Sequence, residues 1–68
     1  MDLKGLSAKE TAAKLNEEHP QANANNGVHD DHLCIRGRLL SAGTLRQLRD
    51  AGWHVSGLGT TTTFLHRD

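Results

Sequence analysis

The sequence predicts a small α+β domain, a two-layer αββαββ arrangement in which two helices pack on one face of a four-stranded antiparallel sheet. Three observations lead to this prediction. Two segments begin with a helix-capping serine, residues 31–40 alternate between apolar and polar side chains, and residues 60–65 are rich in β-branched residues. At 68 residues the chain has room for one domain, residues 1–68, with a small core.

The first helix is predicted over residues 8–18. Ser7 and Glu10 have the spacing of a capping box, in which each side chain accepts a hydrogen bond from the other residue's backbone amide. Pro20 ends the helix because the residue before a proline is driven out of the helical region. One stripe of the helix is predicted to face the core, and it consists of Ala8, Thr11, Ala12 and Leu15.

Residues 31–40 give the clearest strand. Alternate side chains of a strand point to opposite faces of its sheet, so one face is expected to carry Leu33, Ile35 and Leu39 toward the core. The other face then carries a polar set, His32, Cys34, Arg36 and Arg38. This polar set is the first candidate for a functional surface.

The segment before this strand has two interpretations. The composition of residues 21–27, rich in Asn and Ala, is typical of a loop. Alternatively, residues 22–29 form a strand that returns through a turn at Asp30–Asp31, with Asn25 opposite Arg36. We favour the hairpin because its apolar and polar faces then agree with those of the partner strand. The hairpin adds Asn23, Asn25 and His29 to the polar face.

Ser41 is predicted to cap a second helix over residues 42–51, and Gly52 is well suited to end it in the left-handed conformation. Strands at residues 53–56 and 60–65 follow.

In a hairpin with a two-residue turn, Trp53 faces Phe64. The two aromatic residues are therefore expected to pack together in the core, with Leu65 facing outward beside Thr61 and Thr63.

These elements have one simple arrangement. Each helix and each hairpin has one apolar face, so both helices are expected to cover the same side of a single sheet. One possible strand order is that of a circularly permuted ferredoxin-like sheet. The opposite side of the sheet is then left uncovered.

Charge and cysteine content restrict the function. Eight basic residues balance eight acidic ones, so the whole chain has no net attraction to nucleic acid or to an anionic membrane. The single cysteine, Cys34, allows neither an internal disulfide nor an all-cysteine metal site. No apolar run has the length of a membrane span and no secretory leader is recognisable, so we expect a cytoplasmic protein.

The polar side of the sheet is the predicted binding face, and it consists of Asn23, Asn25, His29, His32, Cys34, Arg36 and Arg38. The sequence contains no positioned pair of nucleophile and base and no cofactor motif, so we expect neither enzymatic activity nor a cofactor. We expect instead a small interaction module. It would bind a protein partner or a second copy of the chain through the open face or an edge of the sheet.

A zinc site is one alternative, because imidazole nitrogen and thiolate sulfur are both zinc ligands. The weak candidates are His29, His32, Cys34 and His54, whose spacing fits no zinc motif. His29 and His32, as neighbours across the hairpin, also suggest a response to pH.

Nucleic acid is the other alternative partner. Asparagine and arginine side chains can reach base edges and phosphates from a sheet face. The predicted face, however, has no aromatic ring on which a base could stack. On that ground nucleic acid is less favoured than protein.

Overall fold

The structure, a computed structural model, describes residues 2–26, 31–36, 41–59 and 61–67. Its elements are helices α1 (Ala8–Glu18) and α2 (Ala42–Asp50), a 3₁₀ turn (Pro20–Ala22), and strands β1 (Ala24–Asn25), β2 (His32–Ile35), β3 (Trp53–Leu58) and β4 (Thr63–Arg67). The four strands form one antiparallel sheet in the order β1-β2-β4-β3. A ferredoxin-like βαββαβ chain acquires this order when its first strand moves to its end. The predicted α+β class is confirmed.

Helix α1 has the predicted bounds because local signals determine both ends. Ser7 Oγ accepts a hydrogen bond from the Glu10 amide at 3.1 Å, and Glu10 Oε1 accepts one from the Ser7 amide at 3.0 Å. The hydroxyl of Thr11 donates to the Ser7 carbonyl at 2.8 Å, which satisfies this polar group inside the core. The buried stripe is the predicted one, Ala8, Thr11, Ala12 and Leu15.

Strand β1 is shorter than the predicted strand over residues 22–29. Ala22 ends the 3₁₀ turn, and Asn23 follows in the left-handed conformation with φ of 48°, which asparagine tolerates better than most residues. Asn16 on α1 then binds both backbone groups of Ala24. Its Nδ2 donates to the Ala24 carbonyl at 2.8 Å, and its Oδ1 accepts from the Ala24 amide at 2.7 Å. A helix side chain thus takes the place of a strand neighbour.

The predicted register between β1 and β2 is wrong by two residues. Asn25 pairs with Cys34 instead of Arg36, and Ala24 pairs with Ile35. A shift of two residues leaves every side chain on its own face. The division into a core face and a polar face is therefore unchanged. Residues 27–30, which hold the rest of the predicted strand and part of its turn, lie outside the described residues.

The predicted register of the last hairpin is also wrong, and here the faces change. Trp53 pairs with Arg67, which lies three residues beyond the predicted partner, Phe64. A bulge between Val55 and Gly57 then changes the pairing of the remaining residues of β3 and β4. An odd shift exchanges the faces of a strand. Leu65 is therefore 1% exposed in the core, whereas Phe64 is 47% exposed on the opposite side. The prediction that Phe64 packs against Trp53 and Leu65 faces outward is wrong.

Helix α2 begins where predicted, with Ser41 Oγ accepting from the Thr44 amide at 3.3 Å. It ends one residue earlier than predicted, and Gly52 follows with φ of 97°. Thr44 is buried, and its hydroxyl oxygen lies 3.2 Å from Nε2 of His19. This contact ties the start of α2 to the end of α1.

Both helices cover the same side of the sheet. The core combines their inner stripes with one face of the strands and with the lead-in to α1, and consists of Leu3, Ala8, Ala12, Leu15, Ala22, Ala24, Leu33, Ile35, Leu48, Trp53 and Leu65. In the described part of the chain, no helix has the length and apolar character needed to cross a membrane.

Candidate functional site: the open face of the sheet

The candidate site is the side of the sheet turned away from both helices, which we call the open face. Each strand sends every second side chain to this side, while its neighbours enter the core. No other element among the described residues packs on it. The open face consists of Asn25, His32, Cys34, Arg36, His54, Ser56, Phe64 and His66.

Phe64 lies near the centre of the open face, because β4 is an inner strand. Its neighbours across the sheet are Cys34 on β2 and Gly57 on β3. A Cβ placed on Gly57 would lie 3.6 Å from Cδ2 of Phe64, so the ring leans across the glycine. The ring borders a shallow cleft of about 410 Å³, to which Arg36 and Ser56 also contribute. An exposed ring beside a cleft is typical of a binding surface.

Comparison with known proteins assigns no role to this face. No family model, curated protein or solved structure matches the chain. The chemistry of the open face therefore follows from its own residues.

Three histidines form a row across the open face. His32 on β2 pairs with His66 on β4, and His66 pairs with His54 on β3. The ring centres of His54 and His66 are 5.8 Å apart. His32 Nδ1 lies 3.9 Å from a carboxylate oxygen of Asp31, and both of these side chains are at least half exposed. Imidazole nitrogens donate or accept hydrogen bonds, so this row gives the face a line of polar groups.

The three candidate zinc ligands in the described residues do not converge. Cys34 pairs with Phe64, whereas His32 and His54 lie in the neighbouring row on either side of His66. Within the described ranges, no group of three or more His, Cys, Asp or Glu side chains is placed to hold a metal ion. His29, the remaining candidate, lies outside those ranges.

The structure brings together four residues of the predicted binding face, Asn25, His32, Cys34 and Arg36. Asn23 precedes β1 in a left-handed conformation and belongs to no strand. His29 and Arg38 lie outside the described residues.

Sequence reasoning missed Phe64 and His66, because the assumed register turned them toward the core. A glycine within a strand pattern is a known sign of a bulge. Gly57 was that sign, and a bulge there shifts the register of everything that follows it.

Acidic side chains are concentrated away from the open face. In the described residues they lie mostly on the helices and the lead-in, as Asp2, Glu10, Glu17, Glu18 and Asp50. Asp31, beside His32, is one exception, and Asp50 lines a cleft together with His54. Arg36 borders the cleft, and the histidine row lies on the other side of Phe64. Arg36 thus places a permanent positive charge beside Phe64 although the chain has no net charge.

A second cleft, of about 660 Å³, lies between α2 and β3. Its lining residues are Ala42, Leu45, Arg46, Arg49, Asp50 and His54. It contains charges of both signs, and no phenylalanine or tryptophan ring is among its lining residues. The open face is the stronger candidate because it joins an aromatic ring to a cleft.

Proposed function

We propose that this protein is a small non-catalytic interaction module that binds another macromolecule on the open face. The observation that carries the proposal is the outward position of Phe64, with nearly half of its surface exposed beside a cleft. A domain of this size has few large apolar residues with which to build its core. Leaving one of them on the surface, at the centre of a sheet, favours a role in binding.

The open face is a better binding surface than the edges of the sheet. Strand β1 has two residues, and Asn16 already binds the outward backbone groups of Ala24. Strand β3 is longer, but the bulge between Val55 and Gly57 interrupts its regular pattern. Short edges and bulges are features that oppose pairing with a further strand.

The module is proposed to be non-catalytic because its one thiol is poorly placed for nucleophilic attack. Cys34 is 8% exposed, and its neighbours across the sheet are Asn25 and Phe64. A catalytic thiol must be accessible to its substrate, and it is activated by a base within hydrogen-bond reach, which neither cross-strand neighbour provides.

Three classes of partner are compatible with such a face: a second copy of the chain, another protein, and nucleic acid. The predicted face has no aromatic ring on which a base could stack, which disfavours nucleic acid. The open face does have such a ring, Phe64, so nucleic acid is a partner class equal to protein.

Site-specific photo-cross-linking tests this function in cells that produce the chain. The photoreactive residue p-benzoylphenylalanine replaces Phe64 in one variant and Leu58 in the matched control. Leu58 is 71% exposed at the end of β3 and does not border the cleft, so it controls for nonspecific apolar contact.

We expect a discrete cross-linked product from position 64 and none from position 58. A doubled mass identifies a second copy, a larger adduct digested by protease identifies another protein, and nuclease sensitivity identifies nucleic acid. If position 64 gives no discrete product, or position 58 gives the same one, the open face is not the binding surface and the proposal is wrong.

A further inference from the structure

We propose that the partner is single-stranded nucleic acid, with a base stacked on Phe64 and the phosphate backbone passing beside Arg36. This inference rests on the proposed function and names the class of its partner. Four observations carry it: the position of the ring, the small apolar area around it, the local charge, and the flatness of the face.

The position of Phe64 suits stacking. Bases of single strands bind proteins by stacking on aromatic rings, frequently on the surface of a sheet. Phe64 lies on an inner strand, and its neighbour on the β3 side, Gly57, has no side chain. The cleft beside the ring is lined by Arg36 and Ser56, which offer a cationic group and a hydroxyl to a bound nucleotide.

The described open face exposes fewer large apolar side chains than a stable protein interface has. Such interfaces bury about 800 Å² on each partner around a core rich in aromatic and aliphatic side chains. Here Phe64 is the only large apolar side chain exposed on the described open face, since Val55 and Leu58 belong to the other side of the sheet. The surrounding side chains carry imidazole, amide, hydroxyl and guanidinium groups. A single ring within a polar surface is better suited to stacking with a base than to forming the apolar centre of a protein interface.

The charge distribution favours a polyanion. Arg36 borders the cleft, and the row of His32, His66 and His54 crosses the sheet beside Phe64. Most described carboxylates lie on the helices and the lead-in, and those near the row are Asp31, beside His32, and Asp50, which shares a cleft with His54. Local positive charge supports phosphate binding even where a chain is neutral overall.

The shape of the face favours a single strand over a duplex. Duplex recognition requires a helix or ribbon that enters a groove, or side chains that span the grooves. The open face is a sheet surface with one exposed ring, and a duplex keeps the faces of its bases hidden by stacking. A single strand presents base faces directly.

Fluorescence anisotropy with labelled oligonucleotides tests the inference. The probes are a mixed-sequence single-stranded RNA of about 12 nucleotides, the DNA of the same sequence, and the RNA duplex, each titrated with the full chain at low salt and with reductant. Comparing the RNA with the DNA of the same sequence shows which kind of single strand the protein binds.

We expect wild-type protein to bind at least one single strand more tightly than the duplex. Phe64→Ala weakens this binding by about tenfold or more, whereas Phe64→Trp retains it, because stacking needs a ring. Leu58→Ala, which removes an exposed apolar side chain elsewhere, leaves it unchanged. Arg36→Gln lowers the salt dependence of binding, and Lys9→Gln on α1 does not, although both remove one positive charge. Unchanged melting temperatures confirm that these surface variants are folded.

The inference is overturned if the wild-type chain binds neither single strand, or if Phe64→Ala binds as tightly as wild type. Its failure is distinguishable from failure of the interaction module. A protein adduct from position 64, with no binding of either oligonucleotide, leaves the module standing with a different partner. If position 64 gives no adduct and neither oligonucleotide binds, the proposed interaction module is wrong as well.

Discussion

The guanidinium carbon of Arg67 lies 4.6 Å from the ring centre of Trp53, and Nη1 of the same arginine donates a hydrogen bond to the Leu6 carbonyl at 2.7 Å. One side chain near the end of β4 therefore contacts the first residue of β3 and the segment before α1. Trp53 is fully buried, so Arg67 closes the core over its largest member. This contact exists only in the observed register, in which Arg67 is the strand partner of Trp53.

We predict that Arg67→Met lowers the free energy of unfolding by about 2 kcal/mol, because it removes a cation–π contact and a charged hydrogen bond while keeping much of the aliphatic stem. Arg67→Lys has an intermediate effect, since lysine retains the charge without the planar donor group. Urea denaturation followed by far-UV circular dichroism measures both. The control is Arg46→Met on the exposed surface of α2, and an equal loss there contradicts the assignment.

Asn16 is the second long-range contact with a measurable consequence. We predict that Asn16→Ala destabilises the chain by about 2 kcal/mol, because the amide and carbonyl of the buried Ala24 lose their partners. The better helix propensity of alanine offsets a few tenths of a kcal/mol. Glu17→Ala, at the neighbouring exposed position of α1, controls for that gain. Hydrogen exchange at the Ala24 amide should accelerate in Asn16→Ala alone, and unchanged protection there would count against this role.

The parts of the fold that the sequence predicted correctly are those with local signals. The capping box of Ser7 and Glu10 lies directly before α1, and Pro20 comes soon after its end. The alternation of apolar and polar residues in β2 predicted which of its side chains face the core. That prediction stays correct because a register error of two residues leaves each side chain on its own face. The order of the elements and the side of the sheet that the helices cover could be predicted from these local signals alone.

The parts that were predicted wrongly depend on distant residues. Phe64 and Leu65 are adjacent and both apolar, so hydrophobic pattern alone gives no preference for which one enters the core. That choice follows from the bulge before Gly57 and from the pairing of Trp53 with Arg67. The length of β1 likewise depends on Asn16, eight residues earlier on a helix. The ring that defines the candidate site was therefore assigned to the wrong face.

The capping box makes stability depend on acidity. The pKa of Glu10 is held below its usual value of 4.5, because its carboxylate accepts a hydrogen bond from the Ser7 amide and interacts with the Ser7 side chain. The folded state therefore prefers the charged form of Glu10. The contribution of this carboxylate to folding stability is fully present above the pH at which the same carboxyl titrates in the unfolded chain. That contribution is lost as the pH falls through the lowered pKa.

We therefore predict that Glu10→Gln melts at a lower temperature than wild type at pH 7, and that the difference narrows as the pH falls below 4.5. Glutamine can retain the capping hydrogen bond, so the comparison isolates the charge. Differential scanning calorimetry across the acidic range measures it. A difference in melting temperature that is the same at neutral and acidic pH contradicts the prediction.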